Sequence, residues 1–473
     1  MIVASHRGPY RFERDATGGF RAHRGAGGIV SALLPLLTGR EDTRWIAAAL
    51  SPDDAEAARA GGLDGLDLEV DLLEIDETHH RMHLDVIANG VLWFLHHGLF
   101  DLVREPRLDA DFREAWTAYC AVNDAFAAAV ADRADPHETV LVQDYQLGLV
   151  PGRLRELRPD LRVVHFTHTP FCDGDAIGVL PDDVAAAVCG ALASGPAGFH
   201  TRRWADGFRR AAAVALGPDH PVGPVFAAPL GPDVPALAAA AAEPATRAAA
   251  SDLADIVGER QVILRIDRIE PAKNIVRGFA AYDRLLEARP GLRRRVVFVA
   301  MCSPSRPGIA AYRAYAEEVT RAADAVNDRW ATDDWLPVVL DVRDDYARSL
   351  AGLERYDVLL VNPLRDGLNL VAKEGPALNR RDGVLCLSRG AGAYEELAPA
   401  VVPVHAFDLE QAASALDVAL AMPFDERAAR AALLRERAGR RTPADWLRDL
   451  VRHADEQGEE TVGPVDDEVD HRR

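Results

Sequence analysis

Residues 357–374 read DVLLVNPLRDGLNLVAKE, an apolar run that leads through Asn-Pro into an acid, a glycine and a helical pattern. The reading that decides the fold is a strand ending in a phosphate-binding helix entrance. Gly367 lets the backbone pass close to a ligand, and the amides of Asn369, Leu370 and Val371 would open a helix whose positive dipole end attracts anions. Two carboxylates, Asp366 and Glu374, flank this entrance. A nucleotide-sugar diphosphate fits such a place.

Working outward, similar short runs recur between longer helical patterns: IVAS at 2–5, WIAAAL at 45–50, TVLVQDY at 139–145, RVVHFTH at 162–168, VILRID at 262–267, RVVFVAM at 295–301 and GVLCLS at 383–388. That alternation predicts parallel sheets with crossover helices, an α/β chain. An Ala-rich, helical stretch at 235–250 separates the two groups of strands. The 473 residues then divide into two doubly wound, Rossmann-like domains of about 200 residues each, 1–234 and 235–442, facing across a cleft. A last helix over 443–457 places Trp446 and Leu447, then Leu450 and Val451, at helical spacing. The acidic remainder, 458–473, reads as a disordered tail. Ligands of such a fold bind in the crevice at the carboxyl ends of the strands.

Asp and Glu outnumber Lys and Arg by 74 to 54, for a formal charge of -20, which argues against nucleic acid or an anionic membrane as a partner. An anionic substrate would therefore need a locally basic cleft. The five cysteines (Cys120, Cys172, Cys189, Cys302, Cys386) form no CxxC pair, so neither a disulfide framework nor a zinc site is expected and a reduced cytoplasm is the natural setting. The opening MIVASHRGPY reads as a strand rather than a secretory signal, and there is no charge-free apolar run long enough to span a membrane. A homo-oligomer is compatible with these features but not argued by them.

Candidate site residues fall at strand ends. RIDRIEPAKN at 265–274 carries Arg268 and Lys273, five positions apart. Alone, a basic pair in a loop is usually solvated; beside residues 365–374 it becomes a diphosphate clamp, Arg as a planar fork and Lys as a mobile point charge. Asp366 could equally be a helix N-cap, and Glu374 either an exposed carboxylate or an acceptor for ribose hydroxyls. In the N-terminal half, Arg7 follows the first strand, and GAGG at 25–28 precedes the helical IVSALLPLL. Val30 occupies the last glycine position of GxGxxG, which disfavours a dinucleotide site. Asp144 in VQDYQ ends a strand. In HFTHTPF, His165 and His168 point to opposite faces and cannot share a metal, so His165 packs and His168 reaches the cleft. Arg306 in MCSPSR adds a cation. The tandem pairs His79-His80 and His96-His97 read as surface or turn residues.

Taken in order, SHRGP, GAGG, NGVLWF, VQDYQ, HFTHTPF, GFHTRRW, RIDRIEPAKN, SPSR, VNPLRDGLNLVAKE and LSRGAGAYEEL fall between Ser5 and Leu397, within a resemblance that runs from about Ile2 to Leu450. In these segments the chain resembles the trehalose-6-phosphate synthase family, retaining glucosyltransferases of family 20 with two facing Rossmann-like domains (GT-B). The resemblance implies transfer of glucose from UDP-glucose or GDP-glucose to glucose 6-phosphate or a similar sugar phosphate, without a cofactor or metal. It implies that Arg268 and Lys273 hold the donor diphosphate with the amides of Asn369, Leu370 and Val371, that Gly27 and Gly28 lie under it, and that Glu374 binds ribose. Asp366 would contact the donor glucose, and Asp144 and His168 the sugars near the reacting centre. Arg7, Trp93 and Arg306 would meet the acceptor phosphate side, and the final helix would cross back to the N-terminal domain.

Departures from the family pattern gather on the acceptor side. Leu84 replaces a tyrosine nine positions before Trp93, and Ala48 falls where an acceptor-pocket tryptophan is expected. VQDYQ stands for VHDYH, and EPAKN for DYSKG. Losing a hydroxyl and a stacking ring changes how a sugar phosphate is held. The resemblance therefore also admits a member with another acceptor, a glucosylglycerol-phosphate synthase or a cyclitol-phosphate pseudo-glycosyltransferase, or a catalytically silent nucleotide-sugar-binding protein.

Overall fold

Strand β1 (Ile2–Ser5) starts the chain and is followed by a hairpin of β2 (Tyr10–Arg14) and β3 (Phe20–Arg24), then β4 (Arg44–Ala48), β5 (Glu69–Leu73), β6 (Thr139–Gln143), β7 (Arg162–Thr167), β8 (Ala197–Phe199) and β9 (Val225–Ala227). This computed structural model describes residues 1–461 except 16–18, 26, 41, 61–62 and 64–65, with side chains described as far as residue 456. All but the hairpin form a seven-stranded parallel sheet in the order β5-β4-β1-β6-β7-β8-β9. A second parallel sheet has the order β12-β11-β10-β13-β14-β15, built from β10 (Gln261–Arg268), β11 (Val296–Ser303), β12 (Val338–Val342), β13 (Val358–Val361), β14 (Val384–Ser388) and β15 (Val402–Val404). Each apolar run read from the sequence is a strand. The hairpin, β5, β8, β9, β12 and β15 were not predicted: segments such as AGF, VFA and VPV are too short to show a period.

The strand order reverses beside β1 in one sheet and beside β10 in the other, where two adjacent crossovers leave in opposite directions. At such a point the loops part and leave a crevice. Arg7 follows β1, Asp144 follows β6, Arg268 closes β10, Arg306 follows β11 and Asp366 follows β13. Five candidate residues from distant parts of the chain are thereby brought to facing strand ends.

β6, β13 and β14 are buried along their whole length, because helices cover both faces of each sheet. The Ala-rich stretch forms two helices, Val234–Ala241 and Pro244–Val257, as its propensity predicts. Asp233 caps the first, its carboxylate accepting from the Ala236 amide at 3.0 Å.

The last helix, Pro443–Thr461, runs past residue 457; the rest of the expected acidic tail, 462–473, lies outside the described residues. Thr442 and Asp445 pair reciprocally at its start, the Asp445 carboxylate accepting from the Thr442 amide at 2.8 Å and the Thr442 hydroxyl from the Asp445 amide at 3.2 Å. Trp446 is fully buried, with its ring 5.1 Å from Phe166 of β7 and 5.6 Å from His168. The helix therefore crosses back and seals against the N-terminal sheet. Among the described residues no helix is long and apolar enough to cross a membrane.

Candidate functional site

Between the sheets lies a cavity of about 590 Å3 lined from both sides by Arg7, Gly27, Gly28, Trp93, Asp144, His168, Arg268, Lys273, Arg306, Asp366, Asn369, Leu370, Val371 and Glu374. Every site residue expected from the sequence borders this one space. Among the described residues, no three His, Cys, Asp or Glu side chains are grouped as a metal ion would require.

On the C-terminal wall the turn Pro271–Lys273 ends at Asn274, held at φ 60°. The Asn274 side chain donates to the carbonyls of Asn362 at 3.0 Å and Ala406 at 2.7 Å, which fastens the turn to the end of β13. Lys273 thus meets Asp366, Nζ to Oδ2 at 2.6 Å, with Asp267 at 3.7 Å. Burial disfavours the ammonium, but Asp366, Asp267 and Glu270 outweigh it and raise its pKa. Burial likewise works against the Asp366 carboxylate, and Lys273 and Asn369 reverse the sign and hold it low. Asp366 is therefore not the helix N-cap. Asn369 (φ 74°) donates to Asp366 at 3.1 Å and accepts from the Ala372 amide at 3.2 Å, so it caps the helix Val371–Leu378 in its place. Leu370 and Val371 stand at the start of that helix, where first-turn amides have no intrahelical partner.

Glu374 follows one turn on. Burial pushes its carboxyl up to about 7, and among the described residues no donor reaches it. A half-buried carboxyl that lines the cavity without a partner is free to accept hydroxyl donors.

Across the cleft Gly27 (φ 123°) precedes the helix Gly28–Leu37, with open space where a Cβ would stand. A Cβ on Gly28 would come within 3.3 Å of Leu370, so the two domains approach closely there. Gly367 is tighter still: a Cβ would lie 1.8 Å from the His168 carbonyl oxygen. Trp204 adds a hydrogen bond from Nε1 to the Gly367 carbonyl at 3.0 Å.

Arg306 is nearly enclosed. It donates to the hydroxyls of Tyr145, at 3.1 Å, and Tyr312, and lies over the Trp93 ring at 5.0 Å. Burial lowers its pKa, but Tyr145, Glu270 and Tyr312 raise it by more. Arg7 is lowered first by burial and then by the charges of Arg268 and Arg306. Three guanidinium groups thus repel one another across one end of the cavity. Glu270 is the carboxylate among them, 3.3 Å from Arg268 and 3.9 Å from Arg306, and although burial opposes it these cations hold it down at about 2. One carboxylate for three cations leaves a net positive end, suited to a phosphate.

Asp144 has a positive φ of 69°, and its carboxylate accepts from the His168 amide at 3.0 Å. Burial pushes it up to about 6. His165 packs below, its Nε2 3.1 Å from the Asp144 carbonyl, as expected. His168 lies 2.9 Å from the Gln143 amide oxygen through Nε2 and 3.1 Å from His200 through Nδ1. Both ring nitrogens of His168 are thus engaged, one by the Gln143 side chain and one by His200. Burial, then His200 and His165, keep His168 neutral.

The structure corrects two expectations. His96 and His97 are not surface residues: both are buried in the helix Trp93–His97, and His97 lines the cavity with its Nδ1 2.7 Å from the Trp93 carbonyl. They precede Gly98, the αL end of that helix, and a tandem pair beside a glycine reads locally as a turn. Ala48 is buried under the sheet among Val122, Phe126 and Val142 instead of facing the cavity. Leu84 does line it, from a π-helical stretch, Met82–Leu92, that also presents Asn89. Glu270, Tyr145 and His97 were missed. The acid between two cations in RIDRIEPAKN was the one available signal for Glu270; for His97 there was none.

Comparison with known proteins agrees with this geometry. The family model described as Glycosyltransferase family 20 matches residues 1–456. A trehalose-6-phosphate synthase of Mycolicibacterium paratuberculosis is 32% identical over 97% of this chain and 96% of its own length. A bifunctional trehalose-6-phosphate synthase/phosphatase of Thermoproteus tenax is 31% identical over 95% of this chain, which spans only 63% of that longer protein. Among solved structures, an α,α-trehalose-phosphate synthase (UDP-forming) from Burkholderia vietnamiensis superposes with a TM-score of 0.81 at 27% identity, covering 96% of this chain and 99% of that one.

Proposed function

The chain belongs to glycosyltransferase family 20, and on that premise we propose that it transfers glucose with retention from UDP-glucose to glucose 6-phosphate, giving UDP and α,α-trehalose 6-phosphate. The observation that carries this reading is the charge pattern of the cavity. Lys273 and the helix entrance at 369–371 lie on one wall, and the Arg7, Arg268 and Arg306 group lies at one end. Two anionic groups, a diphosphate and a sugar phosphate, are accommodated in one space.

In this reading Arg268 and Lys273 neutralise charge that grows on the diphosphate as its bond to glucose C1 breaks. The acceptor hydroxyl forms the new bond to C1 on the same face and gives its proton to the departing phosphate oxygen. Asp366, held as a carboxylate, orients Lys273 and accepts from a donor-glucose hydroxyl. His168, held neutral by burial, and Asp144 position the sugars. Gly27, Gly28, Asn369, Leu370 and Val371 cradle the diphosphate, Glu374 accepts from ribose, and Arg7, Trp93 and Arg306 hold the acceptor phosphate. Catalysis is then positioning and electrostatics. The domain division falls at 234/235.

The cavity-lining Leu84, which brings no hydroxyl, favours a second reading in which another sugar or polyol phosphate is the acceptor. One experiment separates the two. The purified chain is given UDP-glucose or GDP-glucose with glucose 6-phosphate, glycerol 3-phosphate or a cyclitol phosphate, and the product is identified by mass and NMR. The proposal expects trehalose 6-phosphate and UDP; turnover with a different acceptor only would replace it with the second reading, and none with any acceptor would refute both.

A further inference from the structure

A second interdomain crevice, of about 440 Å3, lies beside the first and is lined by Arg203 and Arg210 of one domain and Arg365 and Arg389 of the other. Arg210 is neutralised by Asp173 at 2.6 Å. Arg203, Arg365 and Arg389 form no ion pair among the described residues. Arg203 spends its own donors on the neighbouring backbone, with NH1 on the Arg389 carbonyl at 3.0 Å, and its guanidinium lies 3.9 Å over the Trp204 ring. That stacking fixes the planar fork in place. Burial and then the charge of Arg365 lower its pKa, with Glu395 acting less strongly in the opposite sense, so two like charges are held close with no carboxylate in direct contact with either guanidinium among the described residues. Phe407, 61% exposed, supplies an apolar edge to the same crevice.

We propose that this crevice is a binding site for a phosphorylated small molecule, separate from the main cavity, with Arg203, Arg365 and Arg389 receiving the phosphoryl group and Trp204 and Phe407 bordering the rest. Guanidinium groups match phosphate oxygens bidentately, and unpaired ones lose mutual repulsion when an anion enters. Because the walls belong to different domains, the bound anion ties one to the other. Arg365 also lines the main cavity and immediately precedes Asp366, and Trp204 holds the Gly367 carbonyl. Occupancy is thus transmitted to the loop 365–367, and the site is suited to an effector.

Inorganic pyrophosphate is the probe, titrated calorimetrically into the full chain and into Arg389→Glu, Arg203→Gln and Lys273→Ala variants. The Arg389 side chain is exposed, so its replacement should leave the melting temperature unchanged. Wild type is expected to show a binding event that Arg389→Glu and Arg203→Gln each weaken at least tenfold and that Lys273→Ala leaves intact. Should the two arginine variants, folded by their melting curves, bind pyrophosphate as wild type does, or should Lys273→Ala abolish all binding, the site does not exist. Arg203→Gln keeps the test decisive if Arg389→Glu proves unstable.

Discussion

The Lys273 ammonium lies 2.6 Å from the Asp366 carboxylate, joining the loop after β10 to the loop after β13 across the point where the C-terminal sheet reverses its strand order. Each residue holds the other charged in a place where burial alone would favour neutrality. The pair therefore keeps the Lys273 ammonium protonated and oriented at the wall of the cavity before any ligand arrives. Such preorganisation is what stabilises a leaving diphosphate.

Replacing Lys273 with alanine should lower kcat by about 10²-fold or more, the cost of a lost oxyanion donor, and Arg268→Ala should act in the same direction. Steady-state rates with UDP-glucose and glucose 6-phosphate measure this. Unchanged turnover in both variants would remove the electrostatic role assigned to these residues.

Glu374 predicts a proton linkage. Burial holds its carboxyl up at about 7, so near pH 6 the free protein carries the proton. Ribose hydroxyls donating to the carboxylate favour the charged form and lower that pKa, so donor binding should release a proton. The release is expected between pH 5 and 7 and should be absent in Glu374→Gln; calorimetry in buffers of different ionisation heat reads it directly.

Stability should follow from the same group. The folded carboxyl binds its proton more tightly than the unfolded chain does at its ordinary value of about 4.3. Between that value and about 7 the folded state holds more protons, so this group's contribution to stability falls as pH rises through that window and is level above it. Melting curves of Glu374→Gln should lose that component, gaining on wild type as pH rises from 5 to 7. A constant difference between the two proteins would contradict the raised carboxyl.

Gly367→Ala sets backbone against backbone, since the new Cβ would lie 1.8 Å from the His168 carbonyl. Neither strand end can yield without opening the cleft, so a fall in both melting temperature and kcat is expected. Gly27→Ala differs: open space surrounds it and only the φ of 123° is unfavourable, a conformational penalty of roughly 1–2 kcal/mol. The ratio of the two melting shifts tests the contrast.

Trp446→Ala should cost about 3–5 kcal/mol, the usual range for emptying a buried tryptophan site. Its ring supports Phe166 and His168, so activity should fall with stability. Denaturant unfolding together with kcat reports both, and loss of stability with full activity would show that His168 does not depend on this support.

Much of this protein was legible in its sequence, for local reasons. Runs such as VILRID and DVLLVNP are buried on both faces and so show as continuous apolar stretches, and Asn-Pro and Gly mark where they end. The motifs at 265–274 and 365–374 could be placed at strand ends on that basis, and their order along the chain carried the family. What tertiary structure alone decided is which groups meet and in which charge state. His97 looked like part of an exposed pair until the helix Trp93–His97 was seen to be buried against the cavity. Glu270 proved to be the counter-charge of Arg268 and Arg306, and the fold brought Arg7 to those same two arginines from the other domain. Ala48, expected beside the acceptor, is enclosed beneath the sheet. Periodicity reports the neighbours a residue has along its own strand or helix. Burial, ion pairing and pKa depend on neighbours hundreds of positions away, and those were set by two sheets reversing their strand order at the same cleft.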